Sequence, residues 1–198
     1  MTTEIFRRDK FLRASGYNLY VWGAANLLVV LPAYAAARGA PWPGWVGLLH
    51  TVVCIVGASV ACALNDNRVE KLCGPANETP VVDAGRIWLP LLAAGTIWTV
   101  IFIARGPVAY VQPLWMAIVG VGYLSWGAFA VPEFRWFGGM LLACSAVSGI
   151  SVDPIAIQRG APAVNTLAIW SVAMGLAWFP IGVHLNRKYV YPRGSAQP

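Results

Sequence analysis

One histidine and one cysteine stand where they could do chemistry inside an apolar stretch of the chain. His50 and Cys54 are four positions apart in the segment GWVGLLHTVVCIVGASVACALNDN, which runs from Gly44 to Asn67. If this segment is a helix, the two side chains share one face. An imidazole and a thiol so placed could ligate haem or copper, carry a proton, or form hydrogen bonds within the protein.

Ligands for a metal or a haem are scarce elsewhere in the sequence. The second histidine, His184, is predicted at the opposite side of the bilayer from His50, which disfavours a bis-histidine haem. The four cysteines have no CxxC or zinc-ligand spacing, and three of them lie in apolar stretches, where a free thiol behaves as a small hydrophobe. We therefore predict no metal site and no disulfide framework, and the sequence leaves any cofactor unknown.

Small residues continue the face on which His50 lies. Cys54, Gly57 and Ala61 follow it at helical spacing, and such a stripe allows a neighbouring helix to approach closely. We expect this stripe to face the interior of a helix bundle. Cys62 is predicted to lie on a different face of the same helix.

The deep polar residues of the chain are uncharged. No Asp, Glu, Lys or Arg lies at the centre of an apolar stretch, although proton-coupled and sodium-coupled transporters usually need an embedded carboxylate. Ten tryptophans are present, and several of them also lie deep. A path for a neutral or lipophilic molecule is therefore predicted, with a candidate ligand site at Asn26, His50, Trp98, Tyr123 and Trp126.

The composition of the chain indicates which kind of structure holds these residues in place. Of 198 residues 58% are hydrophobic and 11% are charged, against about 25% charged in an ordinary soluble domain. The apolar residues form blocks of about 20, the length of a helix that crosses a bilayer. The net charge of +6 arises from basic residues at the ends of these blocks, which favours a lipid partner and no nucleic acid.

The predicted fold is all-α, a single domain with six transmembrane helices. Strands of a membrane barrel would be about half as long and would alternate in polarity. The predicted helices cover residues 17–37, 45–64, 87–104, 110–130, 135–150 and 163–185, with a cytoplasmic loop at 65–86 and an outer cap at 151–162. Pro180 predicts a kink in the last helix.

The distribution of positive charge predicts the orientation. With both termini in the cytoplasm, eleven of the 14 Lys and Arg residues are cytoplasmic, and only Arg38, Arg105 and Arg159 face outwards. The predicted location is the cell membrane, with multiple crossings. One alternative is a signal peptide that ends within AYAAARGA at 33–40, although a long charged leader and a long apolar stretch favour a retained helix.

Three functions remain open at this point. The first is transport or handling of a neutral or lipophilic small molecule. The second is a non-catalytic accessory subunit that docks other membrane subunits, or a second copy of this chain, through small-residue and tryptophan faces. The third is a membrane enzyme or a haem protein.

Overall fold

The computed structural model describes residues 10–39, 44–73, 84–129, 131–159 and 162–190. This part of the chain is helical and contains no strand. The α-helices are α1 Lys10–Val29, α2 Leu31–Ala37, α3 Gly44–Cys73, α4 Ala84–Arg105, α5 Val111–Phe129, α6 Pro132–Ile150, α7 Pro154–Gln158, α8 Val164–Trp170 and α9 Trp178–Leu185. One 3-10 turn covers Val108–Tyr110, and π-helical turns cover Ser171–Leu176 and Asn186–Val190.

Five helical segments of the described chain are long and apolar enough to cross a membrane. They are Gly16–Ala37, Trp45–Lys71, Arg86–Arg105, Val108–Ala128 and Val164–Lys188. The all-α prediction is therefore confirmed for the described residues, and these five segments have the length and composition of membrane-spanning helices. Helix α6 falls outside this set of five, although it has 19 residues.

The predicted loop at 65–86 is shorter in the structure, because α3 continues to Cys73 and α4 begins at Ala84. Two polar side chains of this extension are satisfied by one partner on α1. Asn65 donates to Asn18 (Nδ2 to Oδ1, 3.1 Å), and Asn18 donates to Asp66 (Nδ2 to Oδ1, 3.1 Å). Polar residues that resemble a loop in the sequence can therefore remain helical. The rest of the predicted loop, residues 74–83, lies outside the described residues.

Glycines allow the first and last helical segments to pack backbone against backbone. A Cβ built on Gly182 would lie 2.5 Å from the carbonyl oxygen of Gly16, and one built on Gly23 would lie 2.9 Å from that of Gly175. The pairing of early residues with late ones means that α1 is antiparallel to the last segment. Such close contacts stabilise helix pairs in lipid, where dispersion replaces the hydrophobic effect.

Helices α5 and α6 form a tight antiparallel hairpin. A Cβ on Gly138 would lie 2.6 Å from the Gly120 carbonyl oxygen, and one on Gly127 would lie 2.5 Å from the backbone nitrogen of Arg135. At the far end of the hairpin, Ser145 donates to the Pro113 carbonyl (Oγ to O, 2.7 Å). Contacts therefore run along most of the length of both helices.

Helix α4 packs mainly against α5, also in antiparallel orientation. The Trp115 indole donates to the Thr99 hydroxyl (Nε1 to Oγ1, 2.9 Å), and a Cβ on Gly122 would lie 2.6 Å from the Trp88 ring. On the other side of the molecule, α3 packs mainly against α1. The two helices that are most exposed, α3 and α4, are thus each held mainly by one neighbour.

The last span differs from the predicted continuous helix at 163–185. A π-helical turn at Ser171–Leu176 precedes Pro180, and Ala177 N–H donates to the Val172 carbonyl (2.9 Å). A proline ring clashes with the carbonyl four residues earlier, here that of Leu176, and a wider turn relieves such a clash. The predicted irregularity at Pro180 therefore takes the form of a π-helical turn just before it.

Candidate functional site

The best candidate for a ligand site is an aromatic cluster centred on Tyr123. Its ring lies 4.9 Å from that of Phe137, 5.1 Å from Phe134, 5.4 Å from Trp88 and 5.7 Å from Trp178, between centroids. These residues come from α4, α5, α6 and α9, so four helices meet at one tyrosine. Trp126 stacks on Phe134 at 5.2 Å. The Tyr123 cluster consists of Trp88, Tyr123, Trp126, Phe134, Phe137 and Trp178.

Two hydrogen-bond donors in the Tyr123 cluster lack a partner. The side chains of Trp126 and Trp178 are 9% and 4% exposed, and neither indole N–H is hydrogen-bonded within the described chain. An indole N–H can only donate, and leaving a buried donor unpaired costs about 1–3 kcal/mol. The cluster could therefore bind a ligand that brings an acceptor oxygen and no charge.

Cys62 of α3 approaches the same cluster. Its thiol is within hydrogen-bonding reach of the Trp22 side chain, and Trp22 packs against the buried core that contains Tyr123. Cys62 is predicted on a different face of the helix from His50, and the structure shows that this face is partly buried. Ala58, on the same side of α3, is buried, whereas Gly57 is exposed and a Cβ there would meet nothing within 4 Å.

The predicted stripe is thus shifted around α3. His50, Cys54 and Ala61 are partly buried, as expected of residues beside the interior, but Gly57 faces outwards. The shift follows from the polar anchor at Asn65, because its bond to α1 fixes the rotation of α3. A small-residue pattern alone does not fix this rotation.

His50 has a specific structural partner on α1. Pro32 has no backbone N–H, so the carbonyl of Leu28, four residues earlier, lacks its usual helical donor. The His50 ring occupies this position, with Nε2 3.0 Å from the Leu28 oxygen. Because a carbonyl only accepts, Nε2 carries the hydrogen, and the Cys54 sulfur lies 3.6 Å from the same nitrogen.

The structure separates the remaining predicted ligand residues. The Asn26 side chain donates to its own helix (Nδ2 to the Trp22 carbonyl, 2.9 Å), and the backbone carbonyl of Asn26 accepts from the Trp170 indole. Trp98 is 50% exposed and its ring contact is with Phe102, 5.9 Å away on the same helix. Only Tyr123 and Trp126 of the five predicted residues belong to the Tyr123 cluster.

Four members of this cluster were not among the predicted ligand residues: Trp88, Phe134, Phe137 and Trp178. A signal for two of them was present, because the pair at 134 and 137 repeats the spacing of the pair at 123 and 126. The two pairs are placed symmetrically about the short connection between α5 and α6. An antiparallel hairpin brings such pairs face to face.

No group of three or more His, Cys, Asp or Glu side chains that could hold a metal occurs in the described parts of the chain. No protein-family model, curated protein or solved structure matches the chain. Fold and site geometry are therefore the basis for a functional proposal.

Proposed function

We propose that this protein crosses the membrane six times, with both termini in the cytoplasm, and handles or transports a neutral, lipophilic molecule that carries a hydrogen-bond acceptor. The observation that carries the functional part is the pair of buried, unpaired indole donors in the Tyr123 cluster. The two parts rest on different contacts and are tested separately.

The contacts of α6 support a sixth crossing. Besides its hairpin with α5, α6 runs antiparallel to the last span: the Phe137 and Trp178 rings are 5.4 Å apart, and Asn165 donates to the Ser151 carbonyl. Near its start, Glu133 pairs with Lys188. Helix α6 therefore extends alongside two spans, and 19 residues give a length of about 28 Å, close to the hydrocarbon thickness.

Parity gives a second argument for six crossings. Helix α1 is antiparallel to the last span, through Gly16 with Gly182 and Gly23 with Gly175. A chain whose first and last crossings are antiparallel has an even number of crossings. Five apolar segments plus α6 satisfy this condition, and the charge bias then favours cytoplasmic termini.

The chemistry of the Tyr123 cluster supports a neutral ligand. Tyr123 is 7% exposed and is surrounded by the rings of tryptophan and phenylalanine, and its ring contacts within the described residues include no charged side chain. Aromatic walls with a few placed donors are typical of sites for apolar ligands. An ionic ligand would lack a counter-charge there.

Photolabelling with benzophenone tests this site, because its carbonyl is an acceptor and it reacts with nearby C–H bonds on irradiation. We expect labelling to map to residues of the Tyr123 cluster. Trp126→Phe keeps a ring but removes the donor and should weaken labelling about fivefold. Trp98→Phe is the matched control and should leave labelling unchanged.

Diphenylmethane, which matches benzophenone without the carbonyl, should compete poorly. Equal competition by diphenylmethane, or labelling that Trp126→Phe does not change, would contradict the acceptor hypothesis. Flux of the same probe in liposomes that contain the protein then separates transport from binding alone.

Single-cysteine labelling tests the six crossings. In a variant that lacks the native cysteines, we place one cysteine at Glu133 or at Ser151, the two ends of α6. A membrane-impermeant maleimide added to intact cells should label the second position and spare the first. Labelling of both positions from one side would exclude a crossing by α6.

A second candidate function is an accessory subunit, which one observation favours. Only 6% of the apolar span of α4 is buried within the molecule, and its exposed side chains include Leu89, Ile97, Trp98 and Ile103. A surface of this kind can face lipid or another membrane subunit. Mass photometry of the protein in native nanodiscs distinguishes a lipid-facing surface from a subunit interface. A particle that contains a single chain and binds benzophenone would exclude an obligate subunit of a larger complex.

A further inference from the structure

A cleft of about 660 Å³ opens at the end of the molecule opposite Glu133 and Lys188. Three segments wall it: the end of α2, the short helix α7 with its flanks, and the start of α8. Most of its lining is small or apolar, for example Ala37, Ala156 and Ala163. A volume of this size suits a small organic molecule or a lipid head group.

Two charged side chains of opposite sign line this cleft, Asp153 and Arg159. Arg159 is exposed, and its guanidinium has no partner within the described chain. The Asp153 carboxylate accepts from the Ile155 N–H (2.9 Å), which caps the start of α7 and fixes the carboxylate at the cleft. The cleft thus offers a fixed anion and an available cation.

The third polar residue of the lining is Asn165, whose amide donates to the Ser151 carbonyl. This bond ties the start of α8 to the end of α6, so it stabilises the wall of the cleft. Arg38 adds a second exposed positive charge, between the lining residues Ala37 and Gly39. The two charged residues of the lining, Asp153 and Arg159, therefore balance each other, and Arg38 lies beside the cleft.

The position of these arginines is unusual for the chain as a whole. In the proposed topology only three of the 14 Lys and Arg residues are on the outer side; one of them, Arg159, lines this cleft, and a second, Arg38, stands in the chain between the lining residues Ala37 and Gly39. Outer positions are those from which the positive-inside bias depletes arginine. Recognition of an anion gives a reason for the exception.

We propose that this cleft binds the head group of a zwitterionic phospholipid of the phosphatidylethanolamine type. The phosphodiester pairs with Arg159, because a guanidinium donates two parallel hydrogen bonds to phosphate oxygens. The ammonium group pairs with Asp153. The glycerol and upper acyl carbons lie along the alanine wall and continue over Ile155 and Val164, which are exposed.

The apolar wall favours a lipid over a free anion. Inorganic phosphate would satisfy Arg159 but would leave the alanine side chains of the cleft uncovered and Asp153 without a positively charged partner. A phosphodiester with an amine on one side and hydrocarbon on the other matches all three features of the cleft. This proposal does not depend on the ligand of the Tyr123 cluster.

Titration calorimetry with dihexanoyl phosphatidylethanolamine tests the site on the full chain in detergent micelles. We expect Arg159→Gln to weaken binding about tenfold. Arg105→Gln is the matched control, because it removes an exposed arginine at the end of α4 that does not line the cleft, and its affinity should stay unchanged. Micelles have no sides, so the result is independent of the topology.

Asp153→Asn tests the second contact without removing the helix cap, because asparagine caps a helix as well as aspartate. This variant should lose the preference for phosphatidylethanolamine over phosphatidylglycerol and should still bind both lipids. It also provides an independent test if Arg159→Gln does not fold, which thermal melting would reveal.

Two outcomes would overturn the proposal. One is equal affinity of the Arg159→Gln variant and the unchanged protein for the lipid. The other is inorganic phosphate competing as strongly as the lipid does, which would indicate a simple anion site.

Discussion

The contact between His50 and Leu28 makes a prediction about a double-mutant cycle with Pro32. The His50 ring donates to a carbonyl that Pro32 leaves without its helical donor (Nε2 to O, 3.0 Å). Pro32→Ala restores a backbone N–H at the position that normally bonds this carbonyl. His50→Ala should therefore destabilise the protein when residue 32 is proline, and much less when residue 32 is alanine.

The expected coupling energy is about 1 kcal/mol. A buried carbonyl left unpaired costs about 1–3 kcal/mol in soluble proteins, whereas measured couplings between helices in a membrane average about 0.6 and reach about 1.7 kcal/mol. Leu28 is 48% exposed in the chain, but in the proposed topology this exposure is to lipid, which offers no donor. A coupling energy somewhat above the membrane average is therefore expected.

Unfolding in mixed micelles of dodecyl maltoside and sodium dodecyl sulfate, followed by tryptophan fluorescence, measures the four free energies. Cys54→Ala is the control, because the Cys54 sulfur lies 3.6 Å from the same ring nitrogen and could contribute on its own. We expect that change to have a small effect in both backgrounds. If His50→Ala destabilises the protein equally in the two backgrounds, then His50 does not replace the N–H that Pro32 lacks as the donor to the Leu28 carbonyl.

Two further predictions concern helix packing in the same assay. Gly182→Ala should destabilise the protein by about 1–3 kcal/mol, because its Cβ would lie 2.5 Å from both a backbone oxygen and the Tyr20 ring. Gly57→Ala is the control and should be neutral or slightly stabilising, because no atom lies within 4 Å of a Cβ built there. An equal loss of stability in both variants would argue against the close contact of Gly182 with α1. Trp115→Phe should cost about 0.6 kcal/mol through the lost bond to Thr99, and the change should vanish in a Thr99→Val background.

The sequence predicts the helices well because lipid leaves few alternatives. Long apolar blocks must satisfy their backbone internally, so their helical state follows from composition. Boundaries are harder, as Asn65 and Asp66 illustrate: they resemble a loop, but one asparagine of another helix provides partners for both. Such a partner cannot be identified before the helix pairing is known.

The candidate site was predicted only in part, for the same reason. Tyr123 and Trp126 were identified as deep and polar-aromatic, and they lie in the cluster that four helices form. His50 has equally suggestive chemistry, but its nearest acceptor is a carbonyl freed by a proline on another helix. Residue type predicts what a side chain can do, whereas the packing decides which partner it finds.

The proposed function requires a route by which a lipophilic molecule reaches the Tyr123 cluster. Two helices at the periphery border that cluster, α4 through Trp88 and α3 through Cys62, which is within hydrogen-bonding reach of Trp22. Each of these helices is held mainly by one neighbour, so either can move without breaking the tight contacts of α1, α5, α6 and the last span. Helix α3 contacts α1 more extensively than α4 contacts α5, and hydrogen bonds of Asn65 and His50 add to the contact between α3 and α1. Helix α4 is therefore the weaker wall, and entry from the bilayer beside Trp88 is the route that the packing favours.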